Sequence, residues 1–122
     1  MNGTELGFFP KFTSLAGGAT GAGQDFFSPV FEVVPFRTVL VEATLLGVIG
    51  IGAAVKVQLQ SGSDLDFTSW VDVGSEETLS STPAQVSVTG PLRFVRLRVN
   101  LSFASGSAMA ATFWAVGVAR EA

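Results

Sequence analysis

Apolar and polar positions alternate most strictly along the stretch from Pro91 to Phe103. Val95, Leu97, Val99, Leu101 and Phe103 fall on one side, and Arg96, Arg98, Asn100 and Ser102 on the other. A period of two marks a strand with one face in a core and the other toward water or a partner. Ala54 to Gln60 repeats the pattern, with Val55, Val57 and Leu59 opposite Lys56, Gln58 and Gln60. Ala108 to Arg120 predicts a last strand, with Phe113 and Ala115 facing away from Trp114, Val116 and Val118. Phe36 to Leu46 is partly apolar on both faces, which predicts burial on both sides or an intersubunit contact. Shorter strands are expected at Val30 to Val34, stopped by Pro35, at Ser69 to Gly74 and at Gln85 to Thr89.

Turn residues separate these segments. Ser61-Gly62-Ser63-Asp64, Gly90-Pro91 and Ala104-Ser105-Gly106-Ser107 each join two strands. Gly47, Gly50 and Gly52 punctuate Val48, Ile49 and Ile51, which predicts a bend between strands rather than a helix. Ser75 to Pro83 reads as a polar loop, with one helical turn at Glu76 to Leu79 as an alternative. Strands at this spacing predict an all-β fold, an antiparallel β-sandwich of jelly-roll-like form, over residues 30–122.

Residues 1–29 have a different texture and are read as an extended N-terminal arm. Phe8, Phe9, Phe12, Phe26 and Phe27 are spread around a glycine-rich run from Gly17 to Gly23, with no sustained period. Either the phenylalanines tuck onto the domain's own surface, or the arm lies on a neighbouring subunit and orders there. A nucleotide-binding glycine loop has the least support, because no Gly-Lys-Ser/Thr follows.

Composition sharpens this picture. At 122 residues the chain suits one domain that buries about two thirds of its unfolded surface. Hydrophobic residues make up 48% and charged residues only 14%, so part of the apolar surface is expected to be covered by other subunits. The net charge of −3 argues against general nucleic-acid binding. Arg93, Arg96 and Arg98 nevertheless gather three of the seven basic residues on one strand. They either pair with carboxylates on an adjacent strand or dock an acidic surface of a partner. The apolar run from Ala43 to Val55 falls short of the about 20 residues a membrane span needs, so no membrane is expected. The start, Met1-Asn2-Gly3-Thr4-Glu5, lacks the basic opening of a signal peptide, and the chain is read as used without secretion.

Candidate chemistry is thin. Cysteine, histidine and tyrosine are absent, which removes disulfides, the usual neutral-pH general base and two common nucleophiles. No Gly-x-Ser-x-Gly elbow exists, and Lys11 and Lys56 have no recognisable Schiff-base context. Asp64, Asp66 and Asp72 form an acidic loop cluster of a kind that could hold Ca²⁺, but without the glycine and terminal glutamate of a calcium loop they read as solvated turn residues. A carboxylate pair for glycoside hydrolysis would have to converge from distant positions. No catalytic residue, metal or cofactor is therefore expected. Trp114, inside an apolar strand, reads as structural, whereas Trp70 reads as core or as a contact residue able to stack on a sugar ring.

Three segments carry a resemblance. Val57 to Asp64, then Thr68 to Gly74, then Gly90 to Val99 with its Arg-Phe-Val-Arg core, resemble discoidin-like, galactose-binding-type β-sandwiches over about residues 55 to 120. The same pattern, in a short chain with a glycine-rich beginning, resembles capsid decoration or cement proteins of tailed bacteriophages. The chain lacks the signal peptide, disulfide pair and loop-tip aromatic cluster of secreted sugar-binding discoidin domains, so no carbohydrate-site residues carry over. The resemblance implies a non-enzymatic virion structural protein on the capsid surface, assembled in the host cytoplasm. Its partners would be the major capsid protein and copies of itself, with a trimer as the first expectation. Phe8, Phe9, Phe12, Phe26 and Phe27 are then candidate arm anchors, and Arg93, Arg96 and Arg98 candidate docking charges. A sugar-binding module and a tail or baseplate component are the alternatives.

Overall fold

A computed structural model describes residues 3–33, 37–62, 70–90 and 93–120. Nine strands appear among the described residues, β1 (Gly3–Gly17), β2 (Gln24–Phe27), β3 (Phe31–Glu32), β4 (Thr38–Ile51), β5 (Ala54–Gly62), β6 (Trp70–Thr78), β7 (Ala84–Thr89), β8 (Phe94–Ser102) and β9 (Ser105–Arg120). No helix occurs among the described residues. All strand pairings are antiparallel, and they build two sheets, β1-β9-β4-β7 and β2-β8-β5-β6, with β3 also on β8. The predicted antiparallel sandwich is the observed fold.

The topology is that of a jelly roll. β2 and β3 share one edge of β8, so nine segments fill eight strand positions, four to a sheet. Ser28 holds the two segments in line, since its N–H donates to the Leu97 carbonyl and its Oγ accepts from the Leu97 N–H at 2.8 Å. The chain then passes from sheet to sheet, with β5 and β6 the consecutive pair within one sheet. Two interleaved Greek keys of this kind are a common way for an all-β chain to manage its sheet edges.

The core comes from the alternation that the sequence displays. Val95, Leu97, Val99 and Leu101 of β8 and Val55, Val57 and Leu59 of β5 face Val39, Val41 and Ala43 of β4 and Ala111, Phe113 and Ala115 of β9. Burying such a side chain contributes about 1.5–3 kcal/mol.

The arm expected at residues 1–29 is corrected. β1 is an edge strand paired with β9 from Gly3↔Arg120 to Gly17↔Met109, and Phe8 and Phe9 are buried in the core. Between Leu6 and Thr13, β1 spends three more residues than β9 does opposite it. Such bulges break the period of two, which lets consecutive phenylalanines both turn inward. Gly117 leaves room for the first of them: a Cβ there would lie 2.8 Å from the Phe8 ring. Phe8 stands edge-on to Phe31 at 5.4 Å, and Phe9 tilts against Phe113 at 5.3 Å. Pro10 is tolerated because the strand is an edge.

Smaller expectations also change, among them the turn residues Ser61 and Gly62, which are strand in β5, and Ser105 to Ser107, which are strand in β9. β4 continues through Gly47 and Gly50 to Ile51 by means of two register shifts, and the turn comes at Gly52. β6 runs on to Thr78, so Ser75 to Thr78 is strand rather than loop or helical turn. Of the strand expected at Val30 to Val34, β3 holds Phe31 and Glu32, and Val34 lies outside the described residues. Pro35, Pro91 and the turn residues Ser63 and Asp64 lie outside the described residues.

Candidate interaction surfaces

The outer face of the second sheet gathers most of the residues singled out from the sequence. Strand register places Arg96 and Arg98 of β8 between Asp25 and Phe27 of β2 and Gln58 and Gln60 of β5. Asp72 and Glu76 of β6 lie beyond. The Arg96 guanidinium sits 4.0 Å from the Phe27 ring centre and 4.4 Å from that of Trp70. Its Nε donates to Gln60 Oε1 at 2.8 Å, and Gln60 Nε2 donates to Asp72 Oδ1 at 2.9 Å. Trp70 in turn covers Gly62, where any Cβ would lie 3.2 Å from the indole. Burial, and then the charge of Arg98, lower the pKa of Arg96, which as an arginine still stays protonated.

Arg98 is held by carboxylates from both sides. Its Nη2 donates to Glu76 Oε2 at 3.2 Å, Nη1 lies 3.7 Å from Asp72 Oδ1, and Nε lies 3.9 Å from Asp25 Oδ1. The acids are about half exposed, so the network is screened by solvent and contributes modestly. Of the two alternatives left open for Arg98, the geometry displays the pairing with carboxylates on neighbouring strands. Arg93 is exposed, with its guanidinium 5.2 Å from the Phe94 ring.

The phenylalanines proposed as arm anchors divide among three environments. Phe8 and Phe9 are core, and cannot meet a partner without unfolding β1. Phe26 is half-buried and packs against the core, while Phe27 stacks on Arg96. Phe12 projects furthest: it is 70% exposed against 47% for Phe27, at the tip of the β1 bulge, with φ at 66°. Thr13 Oγ1 donates to the Pro10 carbonyl at 2.6 Å and ties the bulge at its base, and Lys11 Nζ lies 5.7 Å from the Phe12 ring centre. Asp64 and Asp66 lie outside the described residues, while Asp72 serves the arginine network.

The first sheet carries surface that the sequence reading underrated. On its outer side Leu40, Glu42, Trp114, Val116, Gly117 and Val118 line a shallow depression of about 210 Å³. Glu42 Oε2 accepts from Gln85 Nε2 at 3.0 Å and has no cation among the described residues. At one end of the same sheet β4 exposes Leu46, Val48, Ile49 and Ile51, with Ile49 77% and Ile51 66% accessible. The signal was present as two-sided apolarity from Phe36 onward, but the glycines made the end of that strand read as a bend.

No protein-family model matches this sequence, and no curated protein matches it. Solved structures do. T=1 particles derived from infectious bursal disease virus align with a TM-score of 0.66 at 12% identity, covering 98% of this chain and 32% of that one. The VP2 subviral particle of the same virus gives 0.64 at 12% identity, over 98% and 33%. The virus structure of its Gt strain gives 0.61 at 12% identity, over 98% and 32%. The fold is shared with these particle proteins. This chain spans about a third of their length.

Proposed function

We propose that this chain is a non-enzymatic virion structural protein, a capsid decoration or cement protein that binds an assembled phage head and stabilises it. The observation that carries this reading is the uncovered aliphatic end of β4, where Leu46, Val48, Ile49 and Ile51 stand exposed together. Apolar patches of this kind mark sites of association. The fold adds support, since jelly rolls build viral capsid domains as well as lectins. The absence of histidine, cysteine and tyrosine suits adhesion better than turnover.

Stabilisation then follows from linkage. A protein that binds only the assembled shell of major capsid protein raises the free energy of opening it, by about 2.7 kcal/mol per site at a hundred times the dissociation constant. A tail or baseplate position would use the same surface. Sugar stacking on Trp70 has less behind it, because Arg96 already engages the rings of both Trp70 and Phe27.

The test is co-sedimentation with empty shells of the virus that carries the coding sequence. Wild-type chain is expected to pellet with shells and raise their opening temperature. The double variant Ile49→Asp/Ile51→Asp, still folded by circular dichroism, is expected to stay in the supernatant. Equal binding by this variant, or absence of the chain from purified virions, would refute the proposal.

A further inference from the structure

Phe12 and the depression on the first sheet complement each other. The phenyl ring is exposed, projects from an edge strand and is held in a backbone conformation that non-glycine residues avoid. Strain of this sort persists where the surrounding structure enforces it and points to a use. The depression is mainly apolar, walled by Leu40, Trp114, Val116 and Val118, and holds about 210 Å³. An engineered apolar cavity of about 150 Å³ accepts benzene, so a phenyl ring fits a space of this size. Charge agrees with shape. Lys11 travels with the ring and has no carboxylate among the described residues, while Glu42 in the wall of the depression has no cation.

We propose that Phe12 of one copy inserts into the depression of a second copy, with Lys11 paired to Glu42 across the contact. The knob is on the edge of the first sheet and the hole on its outer face, so one copy's β1 lies across the next copy's β9 and β4. Such a head-to-tail contact closes into a ring when the rotation allows and runs on as an open filament when it does not. The contact joins copies of this chain to each other, so it stands or falls separately from docking to a shell through Ile49 and Ile51.

Sedimentation velocity on the purified chain tests it. Wild type is expected to associate in the micromolar range. Phe12→Gly removes the ring and relieves the backbone, so it is expected to keep or raise the melting temperature while weakening association at least tenfold. Lys11→Glu and Glu42→Lys are each expected to weaken association, and the double variant to recover it. In Trp70→Phe, Trp114 is the remaining tryptophan, and its emission is expected to shift to the blue as concentration rises, except when Phe12→Gly is added. A wild type that stays monomeric at millimolar concentration, a Phe12→Gly variant that associates as well as wild type, or a charge swap without recovery would overturn the proposal.

Discussion

Two phenylalanines four residues apart show how little residue type alone decides. Phe8 is enclosed beside Gly117 and Phe31, whereas Phe12 stands in solvent with φ at 66°. Phe8→Ala should therefore cost about 3–5 kcal/mol, as large-to-small core changes do. Phe12→Gly should be neutral or stabilise the single molecule by up to about 1 kcal/mol, because a left-handed conformation costs a non-glycine residue about 1–2 kcal/mol. Chemical denaturation of both variants at low concentration checks the pair, and a loss at Phe12→Gly as large as that at Phe8→Ala would contradict the placement of Phe12. From the sequence the two were indistinguishable, since both lie in a stretch without a period. By contrast the aromatic contacts of Arg96 were half legible: its outward side followed from the alternation of β8, but Phe27 and Trp70 reach it from other strands.

At the scale of strands, regular ones were legible and bulged ones were not. β5 and β8 keep a period of two, as does β9 from Ala108 on, and these were read correctly as strands, whereas β1, β6 and the start of β9 carry extra residues against their partners. In β6 the chain advances four residues, from Val73 to Glu77, while β5 advances two, from Leu59 to Val57. Gln58 caps that irregularity, its buried Nε2 donating to the carbonyls of Val73 at 3.0 Å and Gly74 at 3.3 Å. Gly74 itself has φ at 74°, and a Cβ there would lie 2.8 Å from Val88 Cγ2, on the edge strand of the opposite sheet. Gly74→Ala is therefore expected to destabilise by more than about 1 kcal/mol, the usual excess when alanine enters a positive-φ site. Thermal melts against Gly21→Ala check it. Gly21 also has positive φ but open space around it, so a larger loss at Gly74 isolates the clash between the two sheets.

For the molecule as a whole, the excess of apolar residues pointed to surface buried against something else, and it did so without showing where. The exposed aliphatics at the end of β4 and the depression beside Trp114 are separate places, and they allow two separate contacts. Within the expected row of arginine docking charges, Arg98 pairs with Asp25, Asp72 and Glu76, which lie far from it in sequence, whereas Arg93 is exposed and Arg96 stacks on Phe27 and Trp70.

The pairing of Gly3 with Arg120 has a kinetic consequence. The first strand cannot find its place until the last one has been made, so folding waits on the most distant encounter the polypeptide offers, and topologies of this sort acquire their structure slowly. Joining the two ends through a short glycine linker and opening the chain at Ser81 would turn that encounter into a local hairpin. Stopped-flow refolding of this circular permutant should be faster than that of the parent at similar stability, and equal rates would mean that β1 docks after the rate-limiting step.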